Sequence, residues 1–347
     1  MENQGQKHNG EYILSERSAF VGFDGYVDEI VMPMTAYGRF ESIKQFNEFI
    51  IKHESASADI SVKRVYRRMG GNAPILAHSL AKKGLTLHCA GAIGEGSVLS
   101  VFEQLQRSCE TTAISAPAEC YALEFPDGKI MFGERSTLDD ITPRLVKQRI
   151  GERKLNELLE SDLICFVNWG GLNHGNDIIK EILLGDTQKR KEKMQILFMD
   201  LADISTAPLN RVSELISLMP RLKQRYYTML SANRKEAVNL AEYIGEKAES
   251  ISQTAQTLLM RLEIDEITVH SLGCSVAVTK ENEASVIPET VKQPKVVTGA
   301  GDNYNAGYCI GKLLGKSLEE CVKMGNASAY SYVRNGEPCG LEQLLIS

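Results

Sequence analysis

The stretch of sequence that decides the fold is VVTGAGDNYNAG, residues 296–307. Two β-branched valines lead into a turn of small residues, and residues 302–315 then carry apolar side chains at helical spacing. A turn between a strand and a helix N-terminus presents free backbone N–H groups to an anion. Gly299 and Gly301 let a ligand approach the backbone closely. We therefore predict an anion-binding turn at Gly299, Ala300 and Gly301.

Asp302 stands at the mouth of this turn and has two interpretations. The first is a helix cap, which is the commoner role of an aspartate at a helix start. The second is a general base that takes a proton from a group held over the turn amides. The turn is not a P-loop, because no Lys-Ser/Thr pair follows its last glycine, and it lacks the G-x-G-x-x-G spacing.

A second polar cluster follows residues 226–230, which have the pattern of a buried strand. Asn233 and Glu236 are three residues apart, which is the spacing of a capping box at a helix start. That structural interpretation is sufficient for these residues by itself.

Two predicted strands near the N-terminus, 18–23 and 62–69, end in polar or glycine-rich turns. The ends of strands are where α/β proteins place ligands. Ordinary turn and cap chemistry is the alternative, because Asp-Gly is a common turn pair and asparagine a common helix cap. The candidate ligand-contacting residues here are Asp24, Asp28, Gly70, Gly71 and Asn72.

From residue 145 onward, predicted helices and strands alternate strictly, which predicts a Rossmann-like, mostly parallel sheet with helices on both faces. No linker interrupts the pattern, so we expect a single domain spanning residues 1–347. An Asp-Gly turn at 127–128 between alternating runs predicts a β-hairpin. The helices are expected at 145–159, 176–184, 211–218, 236–244 and 252–262, and the strands at 163–167, 195–200, 226–230 and 266–271.

The residues GAGD at 299–302 resemble the signature of the ribokinase-like (PfkB) carbohydrate kinases, and Asn-x-x-Glu at 233–236 matches a second motif of that family. The resemblance implies a ribokinase-like α/β fold with a small β-sheet lid, formed here by segments of about 26–69 and 117–137. In the family such a lid covers the sugar and often mediates dimerisation, so it implies a homodimer formed through the lid.

The resemblance also implies an ATP-dependent kinase acting on a hydroxyl of a small sugar or a nucleoside. Asp302 would be the catalytic base, and the turn before it would hold the transferred phosphate. Mg²⁺ would be held mostly through water and phosphate oxygens, with Glu236 in its outer shell. Asp24, Asp28 and the 70–72 turn would contact the substrate. The residues implied at the phosphates and the nucleotide are Asn233, Glu236, Ser271, Gly273 and Asn326.

Two positions depart from the family pattern. The family has Asp-Thr before its G-A-G-D turn, where this chain has Val296 and Val297. That aspartate helps to build a monovalent-cation loop, so its absence argues against potassium activation. The family also has an asparagine where this chain has Ile75, so Asn72 takes over that contact or the substrate lacks the hydroxyl that needs it.

Composition excludes several function classes. The chain has a net charge of -6 without a basic block, which argues against nucleic acid or an anionic membrane as partner. No apolar run approaches the roughly 20 residues that span a bilayer. The polar residues 1–10 lack the apolar core of a signal peptide. Eight scattered cysteines without C-x-x-C spacing indicate free thiols and a cytoplasmic location.

Three functions remain from the sequence. They are a sugar kinase, a nucleoside kinase that shares the same motifs, and a non-catalytic ligand-binding protein on a kinase fold. The last is disfavoured because Asp302 is retained together with Asn233 and Glu236, and a protein that only binds needs no base.

Overall fold

The computed structural model describes residues 10, 12–185, 194–247 and 249–345, so the polar residues 1–9 lie outside the described part. Within that part, the chain forms a nine-stranded sheet flanked by helices and a separate five-stranded sheet. The expected α/β fold class with an additional small sheet is confirmed. None of the described helices is long and apolar enough to cross a bilayer.

The strands are numbered in chain order. They are β1 Ser18–Phe23, β2 Tyr26–Thr35, β3 Gly38–Arg39, β4 Val62–Gly70, β5 Thr86–Gly91, β6 Glu110–Ala113, β7 Ala118–Phe125, β8 Gly128–Glu134, β9 Leu163–Val167, β10 Ile196–Asp200, β11 Tyr227–Asn233, β12 Glu266–His270, β13 Ser275–Thr279 and β14 Glu283–Val286.

The α-helices are numbered in the same way. They are α1 Ile43–Lys52, α2 Asn72–Lys82, α3 Glu103–Gln106, α4 Pro143–Ile150, α5 Glu152–Leu158, α6 Gly175–Ile178, α7 Leu209–Lys223, α8 Arg234–Tyr243, α9 Ile251–Leu262, α10 Ala300–Leu313, α11 Leu318–Asn335 and α12 Glu342–Leu345.

The large sheet has the order β14-β13-β12-β11-β10-β9-β1-β5-β6. Its strands are parallel from β12 to β6, and at one edge β13 runs antiparallel to both β12 and β14. Parallel strands place all their carboxyl ends at the same edge of a sheet. The polar residues at or just beyond the ends of β1, β9, β10, β11 and β12 are therefore brought together by the topology alone.

The small sheet is built around β2, which pairs with β4 and β3 in antiparallel fashion and with β7 in parallel. The predicted hairpin is confirmed as β7 and β8, with Phe125 opposite Gly128. Tyr121 and Phe132 lie opposite each other and are exposed. The expected pairing of two copies through this sheet stays a prediction.

Three predicted helices were wrong in their extent, and the one expected at 211–218 runs over Leu209–Lys223. The helix expected at 145–159 is two helices, α4 and α5, because Gly151 adopts a φ of 83° between them. The helix expected at 176–184 is the short α6, followed by a π-helical turn over Ile179–Leu183.

Helix α10 lies in the interior, with most of its residues buried. Small residues allow it to pack very closely against α11. A Cβ at Gly307 would lie 2.3 Å from the backbone oxygen of Met324, and a Cβ at Gly325 would lie 2.7 Å from the ring of Tyr304. This close contact fixes the position of the N-terminus of α10.

Candidate active site

The turn that opens α10 is shaped by Gly299, which adopts a φ of 92° at the N-cap position. A Cβ at this residue would lie 3.0 Å from the hydroxyl of Tyr332 and 3.3 Å from the side chain of Ile75, so glycine is required there. The amide of Ala300, which we expected to face an anion, instead donates to the backbone oxygen of Val297 (3.1 Å) because the turn is tight. Within the described residues, the N–H groups of Gly301 and Asp302 have no acceptor.

The first turn of α10 separates two cavities. The lid-side cavity, of about 340 Å³, lies between the small sheet and the body and contains Gly299 and Asp302 in its wall. The sheet-edge cavity, of about 380 Å³, lies on the other side and contains Ala300 and Gly301. A group held over this turn can therefore be reached from both cavities.

The lid-side cavity brings together Asp302, Asp28, Gly71 and Asn72, all of which the sequence had suggested. It also contains Ile75, so the position where the family has an asparagine presents an apolar side chain to the cavity. The other residues of the wall are Tyr26, Cys120, Met131, Gly133, Arg135, Asn168, Ala202, Asp203 and Thr298.

Asp302 is 8% exposed, and its carboxylate accepts a hydrogen bond from the side-chain amide of Asn72 (3.0 Å). Burial raises the pKa of Asp302 well above its usual value, and the negative charges of Asp200 and Asp24 raise it further. The N-cap of α10 makes no side-chain hydrogen bond, and among the described residues only Asn72 bonds the Asp302 side chain. Asp302 therefore does not act as a helix cap. Within the described residues, one of its carboxylate oxygens has no hydrogen-bond donor and is available to a ligand in the cavity.

Asp24 and Asp28 occupy different environments. Asp24 is fully buried, and its oxygens accept hydrogen bonds from the N–H groups of Asn72 and Ala73 and from the side chain of Asn168. It does not border the lid-side cavity, because these donors at the start of α2 take up its carboxylate. Burial raises the pKa of Asp24 to about 6. Asp24 therefore supports the cavity floor, whereas Asp28 borders the cavity itself.

Asp28 is held beside Arg68, with 3.5 Å between its carboxylate and the guanidinium. Burial raises the pKa of Asp28, and Arg68 opposes that shift. Gly70 lies against this carboxylate, since a Cβ there would come within 2.6 Å of Asp28 Oδ1. The glycine at position 70 thus makes room for Asp28 rather than for a ligand.

Asn233 and Glu236 form the capping box that their spacing predicts. The Glu236 N–H donates to Asn233 Oδ1 (2.9 Å), and the Asn233 N–H donates to Glu236 Oε2 (2.8 Å). Asn233 lines the sheet-edge cavity, and Glu236 does not. Burial, followed by the charge of Asp200, raises the pKa of Glu236 to about 8. A cation placed between the carboxylates of Glu236 and Asp200 would relieve their repulsion.

The remaining nucleotide candidates differ from one another. Ser271 and Asn326 line the sheet-edge cavity, and Gly273 does not. Asn326 Oδ1 accepts from the Ser275 hydroxyl (2.8 Å), whereas its buried Nδ2 has no partner within the described part of the chain. The Ser271 hydroxyl closes a local turn by donating to the Cys274 backbone oxygen (2.7 Å). A Cβ at Gly273 would meet nothing within 4 Å, so that position does not require glycine.

Sequence reasoning missed several residues of this region. Asp200 ends β10, and its carboxylate accepts from the side chain of Asn305 (2.8 Å), which in turn accepts from the Ser231 hydroxyl (2.6 Å). Asn168 follows β9 and joins Asp24 to the cavity wall. Both could have been found from the rule that ligand sites lie at the carboxyl ends of parallel strands.

The small sheet also contributes a positively charged side chain, that of Lys129, which the sequence analysis did not identify. Lys129 Nζ on β8 donates to Thr298 Oγ1 (2.5 Å), immediately before the turn of α10. Burial lowers the pKa of Lys129, and the nearby Arg68 lowers it further. No group of three or more His, Cys, Asp or Glu side chains within the described ranges is arranged to hold a metal ion.

Comparison with known proteins identifies relatives over nearly the whole chain. A family model described as prokaryotic ketohexokinase matches residues 9–346. A ketohexokinase of Haloferax volcanii is 23% identical over 332 residues, which cover 93% of this chain and 88% of that protein.

Solved structures with the same fold include kinases of two substrate classes. The nucleoside kinase of Methanocaldococcus jannaschii, described as an archaeal member of the ribokinase family, superposes with a TM-score of 0.65 at 13% identity, covering 95% of this chain and 97% of that one. The ribokinase of Arabidopsis thaliana, solved with ribose and ATP, superposes with a TM-score of 0.64 at 16% identity and covers 95% and 97%. At these identities the likeness establishes the ribokinase fold.

Proposed function

The chain belongs to the prokaryotic ketohexokinase family of ribokinase-like carbohydrate kinases, and from that membership we propose that it transfers the γ-phosphate of ATP to a hydroxyl of a ketohexose. The structural observation that supports phosphoryl transfer is that the first turn of α10 lies between two cavities, one for each substrate. The sugar would occupy the lid-side cavity, beside Asp302 and Asp28. The nucleotide would occupy the sheet-edge cavity, beside Asn233 and Asn326.

On the sugar side, Asp302 accepts the proton of the attacking hydroxyl. Its side chain is positioned by Asn72, which contacts only one of the two carboxylate oxygens. The hydroxyl oxygen forms the new bond to the γ-phosphorus, and the bond between that phosphorus and the bridging oxygen of ADP breaks. Phosphoryl transfer depends mainly on such positioning and on stabilisation of charge.

On the phosphate side, the free N–H groups of Gly301 and Asp302 stabilise the charge on the transferred group. Mg²⁺ would accompany ATP and neutralise charge on its phosphates. Glu236 and Asp200 fit a cation reached through water, because burial and then the charge of Asp200 raise the pKa of Glu236, while Oε2 of Glu236 is already bonded to the backbone. These residues would orient the metal-bound water.

The substrate assignment is tested by measuring ADP release from ATP with a panel of ketohexoses, aldohexoses, pentoses and nucleosides. We expect the highest kcat/KM with a ketohexose. If kcat/KM is highest with a nucleoside, the proposed function is wrong and the protein is a nucleoside kinase. Binding of a panel member without any ADP release would indicate a non-catalytic protein on the kinase fold.

Replacement of Lys129 by methionine is expected to reduce kcat/KM for the sugar about 10-fold, which is the order of a lost charge-assisted hydrogen bond. The small sheet acts as a lid in this proposal, and the contact of Lys129 with Thr298 holds it against the phosphate-binding turn. Lys63→Met, an exposed change on β4 of the same sheet, serves as the control. Equal kcat/KM values for both variants and the unaltered protein would refute the role of this contact.

Potassium is expected not to activate the enzyme. Val296 and Val297 stand where the family has the aspartate and threonine of its monovalent-cation loop, and a valine side chain has no oxygen to bind a cation. Kinase rates in potassium chloride and in the chloride of a bulky organic cation should agree within about twofold when the ionic strength is matched. A strong dependence on potassium would contradict this prediction and show that a cation site forms without that aspartate.

A further inference from the structure

His270 is the last residue of β12 and stands beside Asn233 in the register of the parallel pair β11–β12. Its ring lies against Tyr304, with 4.8 Å between ring centroids. The hydroxyl of Tyr304 is fixed in turn by the hydroxyl of Thr268 (2.7 Å). The imidazole is therefore held in one place at the carboxyl edge of the sheet.

The imidazole of His270 lines the sheet-edge cavity and points an edge at the start of α10. A Cβ at Gly301 would lie 3.2 Å from its Cε1 and 3.6 Å from its Nε2. Burial lowers the pKa of His270 to about 4, so the ring is neutral near pH 7 and carries one N–H donor.

Neither ring nitrogen of His270 has a hydrogen-bond partner within the described ranges. His270 is only partly buried, and its ring nitrogens are accessible from the sheet-edge cavity, so they are available to bond a ligand there. The other imidazoles for which bonds are found, such as those of His78 and His88, contact protein hydroxyl or carboxylate groups. Packing against Tyr304 alone would be served equally well by phenylalanine.

We propose that His270 is a further catalytic residue, which donates a hydrogen bond from its ring to an oxygen of the nucleotide's phosphate chain. This inference rests on the proposed function, because it requires ATP in the sheet-edge cavity. The ring and Asp302 act on opposite sides of the turn: Asp302 takes the proton of the acceptor, whereas His270 keeps its own proton. Negative charge collects on the departing ADP as the phosphorus–oxygen bond breaks, and a fixed donor stabilises that charge.

Two substitutions separate hydrogen bonding from packing. His270→Phe keeps a ring against Tyr304 and removes the donor, while His270→Gln keeps an N–H donor and removes the ring. We expect the phenylalanine variant to lose about 10- to 100-fold in kcat, the range for a hydrogen bond to a charged group, and the glutamine variant to lose less. The reverse order would assign His270 a packing role and overturn the inference.

Nucleotide affinity provides the second readout, measured by calorimetry with ADP and with adenosine. His270→Phe should weaken binding of ADP and leave binding of adenosine unchanged, because only ADP has phosphates. Equal loss for both ligands, or no loss for either, would overturn the inference. His174→Phe is the matched control, since this histidine contacts Asp177 and borders neither cavity.

The same measurements keep the inference apart from the proposed function. If the unaltered protein neither binds ADP nor releases it from ATP with any sugar or nucleoside, the proposed function itself fails. If the unaltered protein is active and His270→Phe matches it in kcat and in the ratio of ADP to adenosine affinity, only the role of His270 fails.

Discussion

Replacing Asp302 by asparagine is expected to lower kcat at least ~100-fold, the size of effect that follows the loss of a general base. The amide has nearly the same shape as the carboxylate and still accepts the hydrogen bond from Asn72, but it cannot take a proton from the sugar. The fold should remain intact, because the replaced oxygen faces a cavity rather than a protein donor. Steady-state kinetics and thermal unfolding of the same preparation measure the two effects.

The environment of Asp302 also predicts the direction of a pH effect. Burial and the charges of Asp200 and Asp24 raise the pKa of Asp302, and a base works only when it is deprotonated. The acid limb of the profile of kcat/KM against pH should therefore lie at a higher pH than that of an exposed aspartate. Activity should fall as the pH drops through this limb, and the limb should disappear in the residual activity of Asp302→Asn.

Asp139→Asn is the control for this substitution, since Asp139 is exposed and its side chain accepts a hydrogen bond from Asn173. We expect its turnover to equal that of the unaltered protein. Turnover of Asp302→Asn at the same level would exclude Asp302 as the base and leave positioning as the main source of catalysis.

Replacing Glu266 by alanine is expected to lower the free energy of unfolding by about 3–5 kcal/mol, the cost of breaking a buried ion pair by removing one partner. Glu266 is the first residue of β12, and it is fully buried. Its carboxylate accepts hydrogen bonds from the hydroxyls of Tyr227 (2.8 Å) and Tyr308 (2.6 Å) and from the ammonium of Lys312 (2.6 Å). Alanine would leave these three donors without an acceptor in the core.

An exposed ion pair of the same length provides the control. Glu319 and Lys323 are also 2.6 Å apart, one helical turn apart on α11, but their side chains are 60% and 47% exposed. Glu319→Ala should therefore change stability by no more than about 0.5 kcal/mol. Urea unfolding of both variants compares the two pairs directly, and equal losses would show that burial does not determine the energy at Glu266.

The parts of the fold that were predicted correctly depended on local signals. The glycines at 299 and 301, followed by helical periodicity, indicated the turn of α10, and the spacing of Asn233 and Glu236 indicated their capping box. Both features are decided by residues within a few positions of each other. The same is true of the β7–β8 hairpin, where an Asp-Gly turn sets the register.

The parts that were missed depended on residues far apart in the chain. The contact of Asp200 with Asn305 joins positions 105 residues apart, and only the strand order brings them together. Local patterns also gave a wrong interpretation where the role of a side chain depends on a hydrogen-bond partner that is distant in the sequence. Asp24 had the appearance of a ligand residue, but the N-terminus of α2 takes up its carboxylate.

His270 illustrates a different limit. It directly precedes Ser271, which the family resemblance places at the nucleotide, but a single histidine at a strand end has no distinctive spacing. Its significance comes from its approach to Gly301 and from the lack of a hydrogen-bond partner for its ring nitrogens among the described residues, and both observations require coordinates. From the sequence, His270 could have been identified as a candidate only by its place at the carboxyl end of a central parallel strand.

The most direct test of the central claim is a crystal structure of the protein with a ketohexose and a non-hydrolysable ATP analogue. We expect one sugar hydroxyl within about 3.2 Å of the Asp302 carboxylate, the reach of a general base, and the γ-phosphate against the N–H groups of Gly301 and Asp302. A sugar bound away from Asp302, or a nucleotide outside the sheet-edge cavity, would contradict the account.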